Sequence, residues 1–373
     1  MHVLVILTYG VSFKDWAQSG LLDREILLYE KLLKEKKIRF TFVSFGDSED
    51  TELINDFNVI PFYKYNIPAN GKLKNLFNSL IFPFKLKKLI DKPDLIKTNQ
   101  LMGSWIAIML KLIFAKPLIV RTGYDLFRFS IYEKKSLIKK IFYYILTQFS
   151  ILFSDLYLVT SRTDKDFLKR YFIKSNKKIM ILPNWVETNY ELDKSKINLR
   201  HKDRILSVGR LVAQKNFSFL IYALKDLEIG IDIVGTGPEK NDLIEIANKN
   251  DTEVVFIGQY SNKELLKIYK KYNIFVSSSL YEGNSKSILE AMASGCVVLA
   301  RDNENNREII KDRKNGFLFT DKQELLDSLN QLRNDSKMLS EMSHSAINHV
   351  KKYNSLSKIA NTEFELYKKV YKG

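Results

Sequence analysis

The chain has 373 residues, a length that on ordinary domain sizes predicts two domains. Its 45% apolar and 27% charged residues, with only 15 Gly and 7 Pro, exclude a disordered, collagenous or low-complexity protein, and a single cysteine, Cys296, excludes an internal disulfide and a cysteine-rich metal site. The formal charge of +16 is concentrated: residues 61–140 carry 16 Lys and Arg against 4 Asp and Glu, a local patch and not a general surplus.

The N-terminus has no basic leader and no small-residue cleavage site, and its apolar run at 3–8 reads as a first strand. Further strands are predicted at 40–45, 95–98, 117–121, 155–160 and 178–182, with charge-faced helices such as 21–37 and 72–90 between them. The apolar stretches 105–115 and 141–153 are interrupted by Lys111 and Gln148 and fall short of the roughly 20 residues that cross a bilayer. A soluble or peripheral, cytoplasmic chain is therefore expected.

After Pro183-Asn184 the pattern lapses into a polar, lysine-rich linker, 184–203. Strands resume at 204–208, 229–234, 253–257, 274–277, 297–300 and 317–319, and the end reads as helices, the last at 356–371. Short apolar strands alternating with helices predict an α/β fold of two doubly wound domains, 1–183 and 204–355, with a ligand cleft at the carboxyl ends of the strands.

Three segments carry chemistry. In the run from Ser207 to Asn216, a strand ends in Gly209, and Arg210 and Lys215 stand five residues apart before a helix, able to converge on an anion or simply to lie as surface cations. Gly235-Thr236-Gly237-Pro238 again joins a strand to a helix and allows a tight turn with close backbone approach, although Lys240 stands where a dinucleotide fingerprint wants a third glycine. In the third, a strand ends in polar residues, Glu282-Gly283 forms a loop, and a helix runs from about Ser285 to Gly295 with Glu290 a turn and a half inside it. Side chains lean towards the helix N-terminus, so both carboxylates and the first-turn amides can face one pocket. A diphosphate suits the amides and hydroxyl groups suit the carboxylates.

In order and spacing, Gly-Arg-Leu-x3-Lys-Asn, Gly-x-Gly-Pro and Glu-x7-Glu followed by Ala-Met-Ala-x-Gly resemble glycosyltransferase family 4, retaining enzymes with the GT-B fold. The similarity is strong from about 205 to 319 and vague before Pro183, though 357–371 also resembles the family's final helix, which returns to the N-terminal domain. The resemblance implies a nucleotide-sugar donor, a UDP- or GDP-sugar, and a saccharide acceptor bound by the N-terminal domain, lipid-linked in the assembly of a surface polysaccharide or glycolipid. Arg210 and Lys215 would clamp the donor diphosphate and offset its growing charge, with no metal and no cofactor. Glu290 would hold the ribose, and Glu282 the sugar hydroxyls, beside the amides of Gly283, Asn284 and Ser285, with Lys286 adding charge. Gly209, Gly235, Gly237 and Tyr260 would complete the donor site, and Gly10 would let the N-terminal domain approach the diphosphate. Transfer would retain configuration, a leaving phosphate oxygen taking the acceptor's proton.

The sequence departs from the family twice. Where a His often follows the strand matching 118–121, Arg121-Thr122-Gly123-Tyr124-Asp125 stands instead, which makes Arg121, Tyr124 and Asp125 the acceptor-side candidates. Cys296 replaces a usual Pro and reads as a small buried hydrophobe. Asp164-Lys165-Asp166 matches a metal-binding Asp-x-Asp but opens a predicted helix, where acids favour the helix dipole. Two rival functions follow from the same features. Charge and aromatics suggest a nucleic-acid binder, but the aromatics sit at core positions, so no nucleic-acid partner is expected. A nucleotide-sugar epimerase or hydrolase of the same fold would want a cleft-facing acid and base, and only four His are present. The basic patch mixes cations with apolar residues, from Lys72 to Ile90 and around Lys134, Lys135, Lys139 and Lys140, which suggests docking on an anionic inner-membrane surface.

Overall fold

Runs rich in β-branched and aromatic residues build two parallel sheets in the computed structural model, which describes residues 1–65, 72–173, 178–188, 200–225 and 227–372. Most of the predicted linker, 189–199, and residues 66–71 of the basic segment lie outside the described residues. The chain divides into two compact units, Met1–Leu182 with Ala360–Gly373, and Pro183–Ile359.

The first unit contains β1 (His2–Ile6), β2 (Arg39–Ser44), β3 (Asn58–Pro61), β4 (Leu95–Thr98), β5 (Leu118–Arg121), β6 (Leu156–Val159) and β7 (Ile179–Ile181), in the order β3-β2-β1-β4-β5-β6-β7. The second contains β8 (Arg204–Val208), β9 (Gly230–Val234), β10 (Val254–Gly258), β11 (Ile274–Ser277), β12 (Val297–Arg301) and β13 (Gly316–Phe319), in the order β10-β9-β8-β11-β12-β13. Each sheet winds outward from its first strand in both directions, so the order reverses between β1 and β4 and between β8 and β11. Ligands bind such sheets at those switch points. Alternate residues of the second sheet enter separate cores: Ile205, Ile233, Val276 and Leu299 pack on one face, and Leu206, Val234, Phe275 and Val298 on the other. That two-sided burial accounts for the unbroken apolar strands.

The predicted strands lie within a residue or two of the observed ones. β3 was not foreseen: it has four residues, ends in Pro61, and pairs only with β2 at the sheet edge, where a proline costs no ladder bond. The final helix, Leu356–Lys372, enters the first unit from Ala360 onward. There Glu363 meets Lys97 of β4 in an ion pair with both side chains fully buried, and Tyr367 donates to the same carboxylate at 2.6 Å.

Candidate functional site

The second unit gathers its candidate residues by tying together three loops that leave the carboxyl ends of β8, β9 and β11. The first two meet backbone to backbone. Gly209 N–H donates to the Val234 carbonyl at 3.0 Å, and Leu211 N–H to that of Thr236 at 2.9 Å. A Cβ on Gly235, whose φ is +149°, would run into the Gly209 carbonyl oxygen, and one on Gly237 into the backbone of Leu211. These glycines are required by loop-on-loop packing, a more specific demand than a tight turn.

The loop after β8 then forms a single helical turn, Ala213–Lys215, ended by Asn216 at φ 51°. Three hydrogen bonds fasten it to the loop after β11: Leu280 N–H to the Gln214 carbonyl at 2.9 Å, Gln214 Nε2 to the Tyr281 carbonyl at 2.8 Å, and Ser278 Oγ to the Lys215 carbonyl at 2.8 Å. Lys215 is thereby laid over Gly209 and its Nζ pairs with Glu282 Oε1, both side chains largely buried. Arg210 is exposed, and among the described residues no ion pair or hydrogen bond holds its guanidinium.

Glu282 is followed by Gly283 and by the nearly buried Asn284 and Ser285, which lead into the helix Lys286–Ala293. Asn284 is clamped twice by Asn184, whose N–H donates to Asn284 Oδ1 at 2.9 Å and whose Nδ2 donates to the Asn284 carbonyl at 2.6 Å. Ser285 hydrogen-bonds Ser287 at 3.1 Å between hydroxyls and makes no side-chain cap to the helix amides. Lys286 turns to the face of Trp185, 4.3 Å from its centroid. Glu290 is buried and accepts from Asn262 Nδ2 at 3.0 Å; Asn262 itself is set by the capping box of Ser261 and Glu264 that opens the next helix over. Tyr260, half-buried, directly precedes that box.

Lys215, Glu282, Asn284, Ser285 and their loops are therefore one bonded assembly, while Arg210 stands open beside it. Sequence reasoning missed Asn184, Trp185 and Asn262. Asn184 was readable only as the end of a pattern, and Asn262 only as a helix start after Ser261. Cys296 is fully buried, its thiol pushed up to about 12 by burial, in keeping with a small hydrophobe.

In the first unit Gly10 lies exposed in the loop after β1 with φ +79°. The three acceptor-side candidates part company. Tyr124 is exposed and packs on Phe129 at 4.7 Å, whereas Arg121 and Asp125 are buried. Arg121 feels the charge of Glu363, which places it with the interior Lys97 cluster. Asp125 caps the helix Leu126–Tyr132, its Oδ1 receiving Arg128 N–H at 2.6 Å, and burial pushes its carboxyl up to about 7. Of the three, only Tyr124 is presented to solvent. In the Asp-x-Asp segment, Asp164 is buried and accepts from Arg128 at 3.1 Å, a structural partnership, and among the described residues no group of three or more His, Cys, Asp or Glu is placed to hold a metal ion.

Comparison with known proteins agrees with this architecture. The family model for glycosyl transferases group 1 matches residues 189–349, and that for glycosyltransferase family 4 matches 29–190. The chain belongs to glycosyltransferase family 4. Over 171 residues it is 32% identical to the N-acetylgalactosamine-N,N'-diacetylbacillosaminyl-diphospho-undecaprenol 4-alpha-N-acetylgalactosaminyltransferase of Campylobacter jejuni, a match covering 44% of this chain and 46% of the relative. The chain thus spans less than half the length of that curated relative. Among solved structures it is similar to sucrose-phosphate synthase from Thermosynechococcus elongatus, with a TM-score of 0.82 at 18% identity, covering 100% of this chain and 99% of the other. It is also similar to the Anabaena protein HepE in complex with UDP and glucose, with a TM-score of 0.76 at 17% identity over 99% and 100%. At these identities the structures establish the fold, GT-B, and not the reaction. This family 4 member has two Rossmann-like units, of which the second holds the loop assembly described above.

Proposed function

We propose that this family 4 chain transfers a sugar, with retention of anomeric configuration and without a metal, from a nucleotide-sugar donor to a lipid-linked saccharide. The observation that carries the reading is the Lys215–Glu282 pair, held by fused loops next to the exposed Arg210 and the opening of the helix Lys286–Ala293. Cation, carboxylate and helix amides are what a sugar diphosphate requires. UDP bound to the similarly folded Anabaena protein and the diphospho-undecaprenol substrate named for the Campylobacter relative support the choice of donor and acceptor classes.

In this scheme the acceptor hydroxyl oxygen attacks the anomeric carbon on the face from which the diphosphate departs. The bond from that carbon to the diphosphate oxygen breaks, its electron pair stays with the phosphate, and a phosphate oxygen takes the hydroxyl proton. Arg210 and Lys215 offset the charge that grows on the leaving group. Glu282 receives the donor sugar's hydroxyls in exchange for part of its bond to Lys215, and Glu290, steadied by Asn262, receives those of the ribose.

The test is a thermal-shift screen against UDP-, GDP- and CMP-sugars, followed by turnover of the donor that stabilises the chain. Lys215→Ala is expected to weaken nucleotide binding and to lower turnover by about 100-fold or more. Glu282→Ala is expected to abolish transfer while nucleotide binding is kept, since Lys215 then meets the diphosphate without a competing carboxylate. Full turnover in either variant overturns the assignment. Activity is expected to persist in EDTA, and a complete loss restored by metal overturns the metal-free scheme. Release of an epimerised sugar nucleotide without acceptor would convert the reading to an epimerase.

A further inference from the structure

The helix Leu137–Phe153 in the first unit is apolar on two faces. Its inward face packs Leu146 and Ile151 into the core beside the fully buried Thr147 and Ser150, Ser150 Oγ being bonded to Ser104 Oγ at 2.8 Å. Its outward face is apolar: Ile138, Phe142, Ile145, Phe149 and Phe153 follow one another at three- and four-residue spacing with Ile141 beside them, and all are exposed, Ile138 at 80%. The helix Ser104–Phe114 packs against it and, on its other side, against the helix Lys72–Leu89. On these two neighbours Leu112 is 66%, Phe77 61% and Phe84 57% exposed. A helix face with six exposed large apolar side chains marks an interaction site.

The charge around the patch selects its partner. Exposed Lys134, Lys135 and Lys139 stand at one end of the helix Leu137–Phe153, and exposed Lys85, Lys87 and Lys88 stand in the last turns of the helix Lys72–Leu89. Neither helix contains an acid. A second copy of the chain would bring these lysines against their own kind, whereas an anionic bilayer offers phosphate to the rim and hydrocarbon to the centre. Among the described residues no helix is long and apolar enough to cross a membrane, and this one is packed through Leu146, Thr147, Ser150 and Ile151 onto the first unit.

We propose that the first unit docks on an anionic lipid bilayer by laying the apolar face of the helix Leu137–Phe153, flanked by Phe77, Phe84 and Leu112, into the headgroup boundary. The surface therefore reaches beyond the basic segment 61–140, and its strength comes from insertion as well as charge. It deepens the reading of a lipid-linked acceptor, but vesicle binding is measured with neither donor nor acceptor, so failure of one leaves the other standing.

The experiment is co-sedimentation of the full chain with phosphatidylcholine vesicles, with and without phosphatidylglycerol. The wild type is expected to bind the anionic vesicles and to lose about tenfold or more of that affinity at high salt. The triple variant Ile138→Glu, Phe142→Glu, Phe149→Glu is expected to fall by about two orders of magnitude, with a melting temperature near that of the wild type and its donor hydrolysis, because these side chains are exposed and lie outside the buried core. Lys139→Glu with Lys135→Glu is expected to weaken binding about tenfold or more on anionic vesicles alone. The proposal is overturned by a wild type that fails to bind anionic vesicles, by a triple variant that binds as the wild type does, or by a vesicle-free wild-type dimer that the triple variant converts to monomer.

Discussion

Asp125, one of the three acceptor-side candidates, is a fully buried helix cap whose carboxyl burial pushes up to about 7, with Arg128 N–H on one oxygen. Because its folded value lies above the ordinary 3.8, its contribution to stability is fully present below about pH 4 and is lost as the pH rises through about 7. Asparagine caps a helix as well as aspartate does and carries no charge. Asp125→Asn is therefore expected to match the wild type at pH 4 and to exceed it at pH 8, by roughly 4 kcal/mol at most. Urea unfolding at both pH values checks this, and a variant less stable at pH 8 would show that the ionised form is needed. The cap itself was legible as an Asp before Leu126 and an apolar run. What could not be read was burial, or that Lys215 would pair with Glu282, a partner 67 residues away that depends on two loops meeting.

Loops and strands are where local sequence informs best and where its reach also ends. Most strands announced themselves by an apolar run. β3 gave no such signal although three of its four residues are buried, because it is short, opens with Asn58 and ends in Pro61. The glycine-rich turn after β9 read as a tight turn with close backbone approach, and its geometry adds a cause: Gly235 has no Cβ because the carbonyl of Gly209 occupies that space. Gly235→Ala is expected to push the loops after β8 and β9 apart, to destabilise the second unit by roughly 2 kcal/mol or more, and to lower turnover through a displaced Lys215. Thermal melts and donor kinetics measure both. A variant that keeps wild-type stability and activity would show that the loop absorbs a methyl group without moving.

Across the whole molecule, the charge of +16 that first suggested nucleic acid is concentrated in the first unit, where residues 61–140 carry 16 Lys and Arg against 4 Asp and Glu. The interior contains a second electrostatic arrangement that composition hides entirely. Lys97 is a lysine in the middle of an apolar strand; burial lowers its pKa, and Glu363 of the final helix opposes that. Burial also acts to raise the Glu363 carboxyl, but the charges of Lys97 and Arg121 outweigh it and hold the group below its ordinary value. Lys97→Met alone leaves a buried carboxylate without its lysine and is expected to cost roughly 3–5 kcal/mol. Adding Glu363→Leu removes the orphaned charge and is expected to recover most of that loss. Denaturant unfolding of both single variants and of the double variant provides the cycle, and losses that simply add would mean that the pair does not interact.

The distance between these partners along the chain, 266 residues, sets an order of events during synthesis. A nascent first unit emerges from the ribosome with its sheet complete but with a lysine directed inward and no acid to meet it. Only when the last helix has been made does the counter-charge arrive. A chain cut short before residue 363 would have to bury Lys97 without its counter-charge, and its first unit is expected to be the less stable for it.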